Sequence, residues 1–153
     1  MRAIVDIEGN GLLDELTEIW CIVVRDIDTK EVTAFIRDED YHLNNTNAMA
    51  EFMDAHPGVK SIQAMSNYEA FAKNITEFVG HNFINYDSVA IDMILGIKTP
   101  ISKITDTLIL SRLIFPVFDG GGGHGLEDWG RRLGVHKKAF SDFSKFSWEM
   151  LDY

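Results

Sequence analysis

The sequence predicts an α/β domain built on a mixed sheet, and three observations lead there. Short β-branched segments near the N-terminus are separated by tight-turn residues, the pattern of an antiparallel meander. Farther along, apolar residues recur at helical spacing between short buried segments. No internal repeat or change of composition divides the 153 residues, so a single domain is expected.

Residues 2–7 (RAIVDI) read as the first strand, and Gly9-Asn10-Gly11 breaks it with residues that tolerate positive φ. Residues 19–25 form the second strand. A tight turn at Asp28-Thr29-Lys30 leads to the return strand at 31–36. The stretch 38–60 is polar and reads as irregular, with one short helix over 48–55 that ends before Pro57. Ser66 and Glu69 have capping-box spacing and start a helix carrying Ala70, Phe71 and Ile75. Residues 78–81 read as a short buried strand. Asp87 opens a helix with Val89, Ala90, Met93 and Ile94 on one face and Gly96 as its C-terminal cap. A further helix covers 107–115 and is closed by Pro116. Gly120 to Gly123 read as a mobile loop or an inserted linker, and a helix over 126–133 ends at Gly134. Ser147 is the expected N-cap of a last helix.

The net charge is −10, from 14 basic and 24 acidic residues, and the pI is near 4.8. Binding to nucleic acid through a broad basic surface is therefore not expected. Carboxylates gathered around cations that meet a phosphate remain compatible with this charge. The longest apolar run, 19–24, is too short to span a membrane. A lone cysteine, Cys21, has no internal disulfide partner, and an intracellular, cytoplasmic setting is expected.

Asp6 and Glu8 flank one residue at the end of the first strand, so both carboxylates leave the same face. Two such groups repel unless a cation lies between them or one is protonated. Hard oxygen donors of this kind suit Mg²⁺ or Mn²⁺. The pair also reads as two solvated residues at a strand end. Asp87 stands where a buried strand and loop meet a helix N-terminus, a place that equally suits a plain N-cap.

In order along the chain, Asp6-Ile7-Glu8 with Leu12, then Asn82-x-x-x-Tyr86-Asp87, resemble the first two motifs of the DEDD exonuclease superfamily, tyrosine branch. Segments 104–114 and 124–134 are similar to the intervening parts of proofreading domains in family A DNA polymerases, the phage enzymes in particular. The approach to the third motif, Tyr-x-x-x-Asp, is matched by 150–153, so Tyr153 would be its tyrosine and its aspartate would fall at 157.

This resemblance implies a ribonuclease-H-like fold and a single 3′→5′ exonuclease domain over 1–153 that lacks the end of the third motif. It implies hydrolysis of a single-stranded DNA 3′ end assisted by two divalent ions, Mg²⁺ or Mn²⁺, about 3.5–4 Å apart. Asp6 would bridge the ions, Glu8 would hold the one that generates hydroxide, and Asp87 would support the other. Tyr153 would orient the attacking water. Leu12 would wedge between the last two bases, although a leucine after a turn also suits a core. Asn82, with Asn10 and Tyr86, would help to hold the strand. A polymerase domain or another replication protein is the implied protein partner, and no membrane is involved. Asp106 is assigned a structural part as a helix N-cap, and Glu127 and Asp128 favour the dipole of the helix they open. A non-catalytic module that binds nucleic acid or protein is the alternative reading, since the fourth carboxylate falls outside the 153 residues.

Overall fold

The computed structural model describes residues 1–43, 47–118, 122–135 and 140–151. Six strands form one sheet in the order β4-β3-β2-β1-β5-β6. β1 (Arg2–Gly9), β2 (Ile19–Asp26) and β3 (Val32–Ile36) make the expected antiparallel meander. β4 (Val59–Ala64) adds parallel to β3, while β5 (Glu77–Gly80) and β6 (Ile104–Asp106) extend the other side in parallel. The mixed sheet with flanking helices is therefore as the sequence predicts.

Alternation along β1 sets the two faces. Ala3, Val5 and Ile7 are buried, and between them Ile4 and Asp6 point the other way. The buried side packs with Ile22, Val24 and Phe35 against Tyr68, Phe83, Ala90 and Ile91. These last four come from α3 (Tyr68–Ala72), from the loop after β5 and from α4 (Asp87–Leu95). Each such side chain removed from water contributes about 1.5–3 kcal/mol, which makes this seam the main source of stability. On the opposite face Cys21, Ala34, Ile36 and Ile62 pack under Phe52 of α2 (Ala48–Ala55) and under Met150 and Leu151. Helical cover thus lies on both sides of the sheet.

Three expectations need correction. The stretch 38–60 is not irregular, since it holds α1 (Asp38–Leu43) as well as α2, and it leads into β4. β4 escapes notice because it is an edge strand whose Lys60, Ser61 and Gln63 alternate with buried Ile62 and Ala64, a polar pattern that discourages further pairing. The Ser66–Glu69 capping box does not form. Residues 65–67 make a 3₁₀ turn, the backbone N–H of Ser66 donates to Asp38 Oδ1 at 2.9 Å, and α3 ends at Ala72. The last expected helix is, over the described residues, a 3₁₀ turn at Trp148–Leu151, which the side chain of Ser147 does not cap. α5 (Thr107–Ile114) and α6 (Leu126–Leu133) lie where expected, and Gly96 and Gly134 terminate α4 and α6.

Candidate active site

The site forms where β1 outruns its neighbour. Parallel pairing with β5 ends at Ile4 and Val79, and β5 itself stops at Gly80. The edge of β1 facing β5 is then open beyond that point, and its N–H groups need other acceptors. Asp87 supplies one: its Oδ1 accepts from the backbone N–H of Ile7 at 3.2 Å. Asp87 is the first residue of α4, with Tyr86 in the capping position, and only 3% of it is exposed. Its carboxylate is thus committed to β1 and is not a simple N-cap of its own helix.

Asp6 is exposed and Glu8 half-buried, both on the sheet face that carries Cys21 and Val23, their register partners being Val23 and Cys21 respectively. The charges of Asp6 and Glu8 are both felt at Asp87. Burial first, then the charge of Asp6 and that of Glu8, push Asp87 up to about 8, while backbone N–H groups of Asp87 and Ile7 pull the other way. Burial raises the Tyr86 hydroxyl, helped by Asp87, Glu8 and Asp6. Burial and the charges of Glu8 and Asp6 raise the Cys21 thiol, which keeps it protonated.

Beyond Glu8 the register shifts at Gly9. A Cβ on Gly9 would lie 2.6 Å from Leu16 Cδ1 and 2.9 Å from the carbonyl oxygen of Glu18, so the close return of the loop requires glycine. Asn10 pins this loop: its Nδ2 donates to Thr17 Oγ1 at 2.7 Å, and its Oδ1 accepts from the N–H of Thr17 and of Glu18. The Tyr86 hydroxyl donates to the Gly11 carbonyl at 2.8 Å, which ties the loop to the start of α4. Leu12 is left 76% exposed, an apolar side chain presented to solvent rather than to a core. Glu8, Asn10, Leu12 and Tyr86 line one open cleft of about 400 Å³, together with Phe143. Phe143 was not marked by the sequence reading, and its one signal is the repeated spacing of Phe140, Phe143 and Phe146.

Asn82 adopts φ 63° and shapes the turn before Tyr86, with its Oδ1 accepting from Asn85 Nδ2 at 3.4 Å. Asp106 is 4% exposed and acts structurally, as expected. Its carboxylate accepts from the N–H groups of Leu108 and Ile109 to cap α5, and from those of Asn82 and Ile84 to clamp the loop. Glu127 and Asp128 lie in the first turn of α6. Tyr153 lies outside the described residues, as do Gly120 and Gly121.

Burial, with the charges of Asp6 and Glu8 added, favours the protonated form of Asp87, and carboxylate oxygens are the donors that a hard divalent cation takes. Among the described residues, no three His, Cys, Asp or Glu side chains are close enough as they stand to hold a metal ion.

No family model matches the chain. It is 30% identical to the DNA-directed DNA polymerase of Enterobacteria phage T3, over an alignment of 158 positions covering 90% of this chain. It is 29% identical over the same length to the corresponding enzyme of Escherichia phage T7. The chain spans 20% of the length of each polymerase. Among solved structures, it superposes on Exonuclease X in complex with 5′-overhanging duplex DNA with a TM-score of 0.52 and 14% identity, covering 93% of this chain and 78% of the other. The chain is thus similar to one fifth of these phage polymerases and shares a ribonuclease-H-like fold with the solved exonuclease. At 14% identity the superposition speaks for the fold alone. Among the described residues, no helix is long and apolar enough to cross a membrane.

Proposed function

We propose that this chain is a divalent-metal-dependent 3′→5′ exonuclease domain acting on single-stranded DNA 3′ ends, of the proofreading type. The observation that supports the reading is the hydrogen bond from the Ile7 N–H to Asp87, which holds α4 against β1 beside the residue that Asp6 and Glu8 flank. Asp6, Glu8 and Asp87 would hold the Mg²⁺ or Mn²⁺ ions, which supply activated water and stabilise the attacking and leaving oxygens of the phosphodiester. Asp87, held by the Ile7 N–H, keeps a fixed orientation toward β1. Leu12 offers an exposed apolar surface for stacking against the terminal bases, and Tyr86 holds the Leu12 loop through the Gly11 carbonyl. Asn10 contributes by pinning the same loop, and Asn82 by setting the turn that delivers Tyr86 and Asp87. Tyr153 is assigned the orientation of the attacking water. The names of the phage relatives support DNA as the substrate and a polymerase as the associated activity.

The test uses 3′-labelled single-stranded DNA with Mn²⁺, comparing the chain, Asp6→Ala and an EDTA control. Label release that needs both the metal and Asp6 supports the reading, and release indifferent to both overturns it. A second reading, a non-catalytic module that binds a 3′ end or a protein, is favoured by the lack of three converged metal donors among the described residues. It gains if Asp6→Ala leaves DNA association unchanged and no label is released.

A further inference from the structure

Tyr68 is the largest fully buried side chain among the described residues. It opens α3, and Phe35 meets its ring edge-on with the centroids 5.3 Å apart. A phenylalanine would make the same ring contact, so the packing does not call for a hydroxyl. Among the described residues, that hydroxyl has no hydrogen-bond partner. Leaving a buried donor unpaired costs about 1–3 kcal/mol, and buried polar side chains are nearly always satisfied. A tyrosine kept at this position therefore needs an acceptor for its O–H.

The neighbouring helix supplies one. Asp87, Ala90 and Ile91 are the buried residues of α4, and their spacing puts all three on one helical face. Ala90 and Ile91 belong to the core cluster that also holds Tyr68. The helical face that enters this cluster thus begins with a carboxylate. Asp87 is itself 3% exposed, and the Ile7 N–H donates to its Oδ1. An ionised carboxylate accepts about four hydrogen bonds and donates none, whereas a phenol can donate one. Burial raises the Tyr68 hydroxyl, and among the described residues Asp87 is the one charged group that adds to it. Carboxylates that ligate a metal are in turn hydrogen-bonded by further groups, which fix their orientation. Removing such a group typically costs about 10–100-fold in metal affinity or activity.

We propose that Tyr68 is a positioning residue for Asp87, its hydroxyl donating to the ionised carboxylate and holding it in the orientation that a divalent cation takes up. The proposal rests on the metal-site reading above and goes beyond it by naming the group that steadies the ligand. The test is a Mn²⁺ titration of the 153-residue chain, with free ion followed by electron paramagnetic resonance, beside Tyr68→Phe and Asp87→Asn. Tyr68→Phe keeps the ring and should weaken Mn²⁺ binding by about tenfold or more while the circular dichroism spectrum stays unchanged. A second measurement needs no change at Tyr68. In metal-free chain labelled at tyrosine Cζ, the Tyr68 carbon resonance should move in Asp87→Asn, a response that a hydroxyl with a purely structural part would not give. Mn²⁺ binding that Asp87→Asn weakens and Tyr68→Phe does not overturns this inference alone, as does a Tyr68 resonance indifferent to Asp87→Asn. A chain that binds no Mn²⁺ overturns the metal-site reading and this inference with it. Weaker Mn²⁺ binding in Tyr68→Phe without any release of label from DNA sinks the proposed reaction and leaves the positioning role standing.

Discussion

Asp87 sets the pH behaviour of the metal-free chain. An unfolded aspartate titrates near ~3.9, while the folded chain holds Asp87 up at about 8. The folded state therefore binds this proton more tightly than the unfolded state. Its contribution to stability is complete below about pH 4 and is lost as pH rises toward the folded value, with a slope of at most about 1.4 kcal/mol per pH unit. Urea denaturation in EDTA should show that decline between pH 5 and 8. Asp87→Asn should flatten it, and Mn²⁺ should restore stability at the alkaline end. A chain equally stable across this range in EDTA would contradict the assigned burial and charge. On activity, Asp87→Asn is expected to lower label release on the order of 10²-fold, as loss of a preorganised charge at a reacting centre does. Asp6 and Glu8 were legible in the sequence because a strand repeats every two residues. The bond from Ile7 to Asp87 was not, since it depends on where β5 stops beside β1.

At the scale of elements, Asp106 joins two pieces of structure through one carboxylate. It caps α5 and fastens the turn that leads to Tyr86 and Asp87. Asp106→Ala leaves these backbone N–H groups without their acceptor, and a cost of about 3 kcal/mol is expected from the lost cap and charge-assisted bonds. Thermal unfolding measures it, and a loss below about 1 kcal/mol would show that the clamp is dispensable. Gly9→Ala tests the neighbouring loop. Its Cβ meets the Glu18 carbonyl at 2.9 Å, backbone that cannot swing aside. Destabilisation of about 1–3 kcal/mol is expected, together with weaker single-stranded DNA binding through the Leu12 loop. The meander and α2, α4, α5 and α6 were readable from β-branching, helical spacing and glycine stops. β4 and β6 were not: one is a polar edge strand, and the other has three residues, below the length at which alternation gives a signal.

Over the whole molecule, acidity and fold have to be reconciled. A chain of net charge −10 gains little from counterion release, so the proposed function requires that DNA be held through cations bound at the carboxylates. Association with single-stranded DNA should therefore fall steeply in EDTA even at low ionic strength, as fluorescence anisotropy would show. Strong metal-free binding would point to an unrecognised basic surface. The ordered motifs made the fold and the relationship to phage polymerases readable from sequence, because they extend across most of the chain. The exposure of Leu113 on α5 and Leu133 on α6 was not readable, since the helical spacing that marks these residues is the same spacing that would bury them in a core. The central claim is that Asp6, Glu8 and Asp87 form a metal-dependent site for 3′ ends. Its most direct test is label release by the chain from 3′-labelled single-stranded DNA in Mn²⁺. Release beginning at the 3′ end, abolished by EDTA and reduced on the order of 10²-fold by Asp6→Ala, is the predicted result. No release in Mn²⁺, or release at an unchanged rate in the Asp6→Ala variant, would contradict it.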